Sequence, residues 1–351
     1  MSPKLLQLNI AQLQRAFEKS KANKYSDSRK KIYHECLTQL FTKILSRDIG
    51  SYDYSAQIRL KKVLDFIFYS IEFLDSSTLT NIPYEIVFCL EKALNEWDNS
   101  KSYIVVTSLQ NNFLSYSFNP ILALTQDYYD IIQNDFNIAF NYKLIQINLP
   151  RYLVHDYLAN VVLYHELGHF IDLKFNISLR LMLTKYGLNP YSNPILRKEF
   201  SHIQEYFADI FAAQYIGEAS NYYLNYVGHK NPGGDSHPST DNRIEITNDF
   251  LNAISNKTIN EIQLATQSTT SFTLEKRYSV ISNSDFIDLI PPNFKNDLEL
   301  HSVFEVGWNL WKIEVDGYIK KSINYIDKYR IINNLIEKSI SNYMVIEKWN
   351  K

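Results

Sequence analysis

The chain has 351 residues, 45% apolar and 14% aromatic, enough for a sizeable core and long enough for two domains. Its formal net charge of −2 supplies no global field toward nucleic acid or an anionic membrane. Two cysteines, Cys36 and Cys89, exclude a disulfide framework and a Cys-based zinc site and fit a reducing compartment, while scarce Gly (9) and Pro (10) favour long helices.

The N-terminus is amphipathic and charged throughout, without the apolar core and small-residue cleavage site of a signal peptide. No stretch approaches eighteen uncharged apolar residues; "VLDFIFYSIEFL" is broken by Asp65 and Glu72. A cytoplasmic chain with no integral membrane segment is expected, so the sequons at Asn176 and Asn256 carry little weight. Residues 4–98 read as helices. "LLQLNIAQLQRAF", "RKKIYHECLTQLFTKIL", "SAQIRLKKVLDFIFYSIEFL" and "PYEIVFCLEKALNEW" all repeat apolar residues at three- and four-residue intervals, with Pro83 in the first turn of the last. The basic stretch 19–31 reads as a solvated linker rather than a nucleic-acid patch.

After residue 102 the pattern changes. "YIVVTSL" and "FLSYSF" are predicted strands joined by "QNN", and "FNIAF" and "LIQINL" a second pair joined across "NYK", stopped by Pro150. "YLVHDYLANVVLYHELGHFIDLKF" reads as one long helix. "NPILRKEFSHIQEYFADIFAAQYIG" reads as another, between Pro194 and Gly217. Residues 228–242, rich in Gly and Pro, form a loop; "RIEITNDFLNAI" resumes as helix. The C-terminal part is mostly helical, with "LELHSVFEVGWNLWKIEVDGYI" and "KYRIINNLIEKSISNYMVI", and no internal repeat is present. The expected fold class is α+β, predominantly α. Its expected parts are a helical 1–99, a core 100–260 and a helical 261–351 that packs on the core.

Within the first long helix stands "HELGH". Residues four apart share a helix face, so His165 and His169 can present both imidazoles to one ion. Glu166 sits about 100° around the helix, placed to reach a metal-bound water without ligating. A hydrolytic zinc needs three protein ligands and one open position. Gly168 costs roughly 1 kcal/mol against Ala in a helix, which suggests that another backbone packs there. The stretch after His169, "FIDLKF", has no further histidine, so the third ligand must come from elsewhere. The next helix offers Glu205 and Asp209 on one face, in apolar surroundings that do not suit a solvated acidic face.

"HELGH" followed by "EYFAD" resembles the gluzincin metallopeptidases. That resemblance implies a zincin-like core of small sheet, motif helix and glutamate helix. It also implies one catalytic Zn2+ on His165, His169 and Glu205, Glu166 as general base, and Asp209 bonded to the outer nitrogen of His165. "HPSTDNRIE", with His237 and Arg243, is similar to a run in the HtpX and CAAX-prenyl-endopeptidase family. There too a hairpin ending in an I-x-I strand precedes the motif helix, here "NIAFNYKLIQINLP". The likeness covers roughly residues 135–250 and leaves out that family's membrane spans.

His237 could donate to an oxyanion, with His229 as rival, and Arg243 could stabilise charge or anchor the loop to an acidic group. His155 is expected to cap or pack on the motif helix. His34, His202 and His301 read as ordinary. "LIQINL", with Ile145 and Ile147, is expected to be the edge strand that pairs with an extended substrate. The reading is a soluble zinc endopeptidase acting on a protein or peptide, with no nucleic-acid partner. Two alternatives stay open: a regulatory peptidase similar to the ImmA/IrrE type that cuts one dedicated protein, and a binding or toxin-like module with structural zinc.

Overall fold

The structure, a computed structural model, describes residues 3–78, 84–111, 116–313 and 323–349. Pro83, residues 112–115 around the expected first turn and second strand, and residues 314–319 of one C-terminal helix lie outside them. The described residues are predominantly helical with one three-stranded sheet, as the α+β reading expects. No helix among them is long and apolar enough to cross a membrane.

The chain clusters into two compact units rather than the three expected stretches. One takes residues 1–87, 98–111 and 117–148; the other takes 88–97, 112–116 and 149–351. The division falls inside helix α4 (Tyr84–Trp97). Nearly all of the sheet therefore groups with the N-terminal helices, not with the motif helix.

In the first unit, α1 (Pro3–Ser20) buries a stripe of Leu6, Ile10, Leu13 and Phe17, spaced for one helix face. The helices α2 (Ser28–Leu45) and α3 (Tyr54–Ser76) each begin at an aspartate, Asp27 and Asp53, whose carboxylate accepts a backbone N–H of the first turn. The basic stretch is only partly solvated, because Lys30 is buried and its Nζ donates to Ser77 Oγ at 2.6 Å. Next come β1 (Tyr103–Gln110), β2 (Ser117–Asn119), the short α5 (Ile121–Leu124), α6 (Gln126–Phe136) and β3 (Lys143–Pro150).

Two expectations are corrected here. "FNIAF" is no strand: Phe136 ends α6, Asn137 takes a left-handed conformation as its C-cap, and the segment continues as coil. The alternation arises because Phe136 and Ile138 are buried and Phe140 packs against the same core, its ring 5.3 Å from Phe66. The hairpin "NIAFNYKLIQINLP" is accordingly absent. Nor is β3 an edge strand. The sheet order is β1-β3-β2, with Phe118 of β2 opposite Ile147 in an antiparallel pair. Ile145 and Ile147 are fully buried, and Gln146 and Asn148, which made the strand look half-exposed, are buried too. With a strand on each side, Ile145 and Ile147 are not a substrate-pairing edge.

The second unit is helical: α7 (Val162–Phe175), α8 (Ile177–Tyr186), α9 (Pro194–Ile216), α10 (Ala219–Val227), α11 (Thr240–Leu251) and α12 (Lys257–Thr269), then the short α13 (Ser284–Ile287) and α14 (Asp297–His301), α15 (Val303–Lys312) and α16 (Tyr325–Trp349). The motif helix α7 is shorter than periodicity predicts. Residues 154–161 are turns because side chains take the backbone donors and acceptors a helix would use. Asn333 Oδ1 accepts from Tyr157 N at 2.6 Å, Asp156 Oδ1 from Ala159 N at 3.0 Å, and Asn160 Nδ2 donates to the Val154 carbonyl at 3.2 Å. His155 is thus exposed in a turn, not on the motif helix. By contrast α9 runs between the predicted stops: Asn193 caps it, Pro194 opens it, and Gly217, at φ +56°, ends it.

Candidate metal centre

Helix α7 packs on α9 along Gly168. A Cβ at that glycine would lie 2.8 Å from Ala208 Cα and 3.1 Å from its carbonyl oxygen, so only glycine lets the two backbones come this close. The approach sets Glu205 and Asp209 of α9 against the histidine face of α7.

His165 Nε2 lies 3.0 Å from His169 Nε2 and 3.4 Å from Glu205 Oε2, and His169 Nε2 lies 3.5 Å from Glu205 Oε1. Donors bonded to one small divalent ion at about 2.0–2.2 Å in tetrahedral directions lie roughly 3.3–3.6 Å apart. The two histidine–glutamate separations fall in that range and the 3.0 Å between the imidazole nitrogens is a little shorter; these three residues form a buried group that could hold a metal ion. The chemistry agrees. Glu205 Oε2 is buried with no close hydrogen bond, and its charged neighbours His165 Nε2 and Arg243 Nη2 stand off at 3.4 Å each.

A second layer fixes the first. Asp209 Oδ1 accepts from His165 Nδ1 at 2.9 Å, which leaves Nε2 facing the triangle. Arg243 of α11 grips Asp209 with two bonds, Nε to Oδ2 and Nη2 to Oδ1, both 2.7 Å. Its Nη2 also lies 3.4 Å from Glu205 Oε2. Without a cation, burial opposes charge on His165, but Asp209 and Glu205 outweigh it and hold the imidazole up at about 10. Burial and the charge on His165 push His169 down to about 3. Glu205 is held at about 2: burial raises it, and the two histidines and Arg243 lower it further. Asp209 falls well below the carboxylate range because Arg243 and His165 overcome its burial. Proton and metal therefore compete for His165 Nε2.

Glu166 faces the same cleft, its carboxyl pushed up by burial while His165 pulls it down. His237 sits on the loop before α11, its side chain 58% exposed and its Nε2 3.5 Å from Glu205 Oε1. Ser236 Oγ bonds its Nδ1 at 2.8 Å. His202 of α9 holds this loop through the Gly234 carbonyl at 2.8 Å, and Gly234 N donates to the His237 carbonyl at 2.8 Å. His237, unlike His229, borders the cleft. The structure thus brings together His165, Glu166, His169, Glu205, Asp209, His237 and Arg243. Ile145 and Ile147 are not among the residues around the cleft.

Sequence reasoning missed the cleft's other wall. Helix α10 contributes Ser220, Tyr223, Leu224 and Val227. Their spacing of three, four and seven was legible in "SNYYLNYV". His301, read as ordinary, is fully buried, and its Nδ1 bonds Tyr164 Oη at 2.8 Å, directly before the first histidine of the motif. No protein-family model, curated protein or solved structure matches the chain.

Proposed function

We propose that the chain is a zinc-dependent endopeptidase. The observation that carries the reading is the buried triangle of His165, His169 and Glu205 opening on a cleft of about 260 Å³ that also presents Glu166. Two imidazole nitrogens and one carboxylate are the donor set of hydrolytic zinc sites, whereas structural zinc sites are closed by four protein ligands. Among the described residues only three side chains group in this way.

Zinc, when bound, supplies a Lewis acid that polarises a carbonyl and brings a water to a pKa near 7. The chain's own residues do the rest. Glu166, whose basicity burial raises, accepts the proton of the attacking water and returns it to the leaving amine. Asp209 keeps His165 in the tautomer and orientation that ligation needs, and Arg243 holds Asp209 charged and in place. His237, at the rim, donates to the oxyanion as the carbonyl becomes tetrahedral.

The test replaces Glu166 by Gln, which preserves shape and removes the base. Cells expressing the active chain or the Glu166→Gln chain are compared for new protein N-termini. The proposal expects cleavage products with the active chain only, while both proteins hold equal zinc. Identical N-termini in the two, with zinc bound in both, contradict it.

A further inference from the structure

The cleft beside the donor triangle has an apolar wall, and one end of that wall is left open to solvent. Helix α10 turns Ser220, Tyr223, Leu224 and Val227 toward it, a continuous stripe at i, i+3, i+4 and i+7. Val161 and Val162 at the start of α7 continue the apolar lining up to His165. Amphipathic helices ordinarily turn such a stripe into the core. Here Tyr223 is buried, Leu224 is only half-buried and Val227 is 38% exposed, so the stripe opens to solvent toward its C-terminal end.

Contacts on both the buried side and the stripe pin α10. Asn221 Nδ2 donates to Asn248 Oδ1 of α11 at 2.8 Å, and Thr247 Oγ1 donates to Asn221 Oδ1. The Trp308 ring of α15 packs 6.0 Å from that of Tyr222 and 6.5 Å from that of Tyr223, and Trp308 Nε1 is tied to the Leu158 carbonyl at 2.9 Å. Tyr116 meets Tyr223 edge to face, with ring centroids 6.1 Å apart, and closes the far end. These contacts fix the wall in place, so an apolar guest meets a preformed surface and not one it must order.

Size limits the guest. At about 260 Å³ the cleft lies below the range that encloses a drug-sized ligand. It suits one side chain together with the peptide group that reaches the donor triangle. We infer that α10 is the specificity wall of this site, and that the substrate carries a bulky uncharged apolar side chain, aliphatic or aromatic, on a residue flanking the scissile bond. This rests on the peptidase reading above. The α10 side of the recess is uncharged, and the charged groups of the lining, Glu166, Glu205, Asp209 and Arg243, belong to the donor centre on the other side.

The experiment uses the full chain with one equivalent of zinc and a peptide mixture in which each position carries every residue type, with cleavage sites read by mass spectrometry. The inference expects cleavage next to Leu, Met, Phe or Tyr at least tenfold above cleavage next to Gly, Asp or Lys. Leu224→Trp, which fills the recess, is expected to cut cleavage beside bulky residues tenfold, mainly through KM, and to spare cleavage beside Ala. Val227→Asp, at the open end, is expected to move preference toward Lys and Arg. In the Glu166→Gln background, retention of peptides on the immobilised protein is expected to show the same preference without turnover. Cleavage with no preference for apolar neighbours, or a preference unchanged in both wall variants, overturns the inference and leaves the peptidase reading standing. No cleavage of any peptide by the folded, zinc-loaded chain overturns the peptidase reading, and the inference with it.

Discussion

Gly168 and Ala208 bring two helices to backbone contact: a Cβ on the glycine would lie 2.8 Å from Ala208 Cα. That approach lets a glutamate on one helix meet two histidines on the other. The glycine inside "HELGH" thus has a packing reason independent of the residues that flank it.

The first prediction follows directly. Gly168→Ala gains about 1 kcal/mol of helix propensity but forces α7 and α9 apart, at a cost of about 1–3 kcal/mol. The variant is expected to fold with slightly lower stability and to bind zinc at least tenfold more weakly, since the triangle widens. Competition with a chelator measures this; unchanged zinc affinity would show that the close approach does not set the site.

A second prediction concerns Arg243. Its fork neutralises a buried carboxylate, and removing one partner of a buried pair costs about 3–5 kcal/mol because the other charge is stranded. Arg243→Ala is expected to lower urea stability by that order. Arg243→Lys should recover little, because an ammonium cannot make both bonds to Asp209. Adding Asp209→Asn to Arg243→Ala should restore part of the loss, so the two single costs must exceed the double. Strict additivity would mean that the pair does not act as a unit.

How much of this was legible in the sequence differs from element to element. The glutamate helix was readable to its ends, since Asn193, Pro194 and Gly217 are local punctuation and act through their own backbone. The motif helix was overextended because the groups that unwind 154–161 include Asn333, far away in sequence. "FNIAF" alternates like a strand but fills a core from a helix end. Whether β3 lies at an edge was not readable at all, since that depends on which strands flank it. At the site, helical spacing alone paired His165 with His169 and Glu205 with Asp209. It could not show that α10, a nine-residue helix, turns its apolar stripe toward the cleft.

A third prediction is a pH dependence outside the triangle. Asp172 of α7 is buried; its Oδ1 accepts from Ser178 N of α8 at 2.7 Å and its Oδ2 from Gln204 Nε2 of α9 at 3.3 Å. Burial, only partly offset by these bonds, lifts its carboxyl from 3.8 to about 6. A carboxyl raised on folding contributes stability that is full below the unfolded value and is lost as pH rises through the folded one. From about pH 4 to pH 6, wild type should therefore lose stability relative to Asp172→Asn, by on the order of 3 kcal/mol for a two-unit shift. Above pH 7 the difference should be flat. Unfolding of both proteins in urea from pH 4.5 to 8 reads it; parallel curves throughout would contradict the assignment.

The most direct test of the central claim is zinc binding itself. The purified chain is stripped with a chelator, titrated with zinc, and its X-ray absorption spectrum recorded. The account predicts one zinc per chain, bound by nitrogen and oxygen at about 2.0–2.2 Å without sulfur. Binding should be lost in His169→Ala and Glu205→Ala and kept in Glu166→Gln. No stoichiometric zinc in the folded chain, or zinc that survives loss of His169 and Glu205, would contradict it.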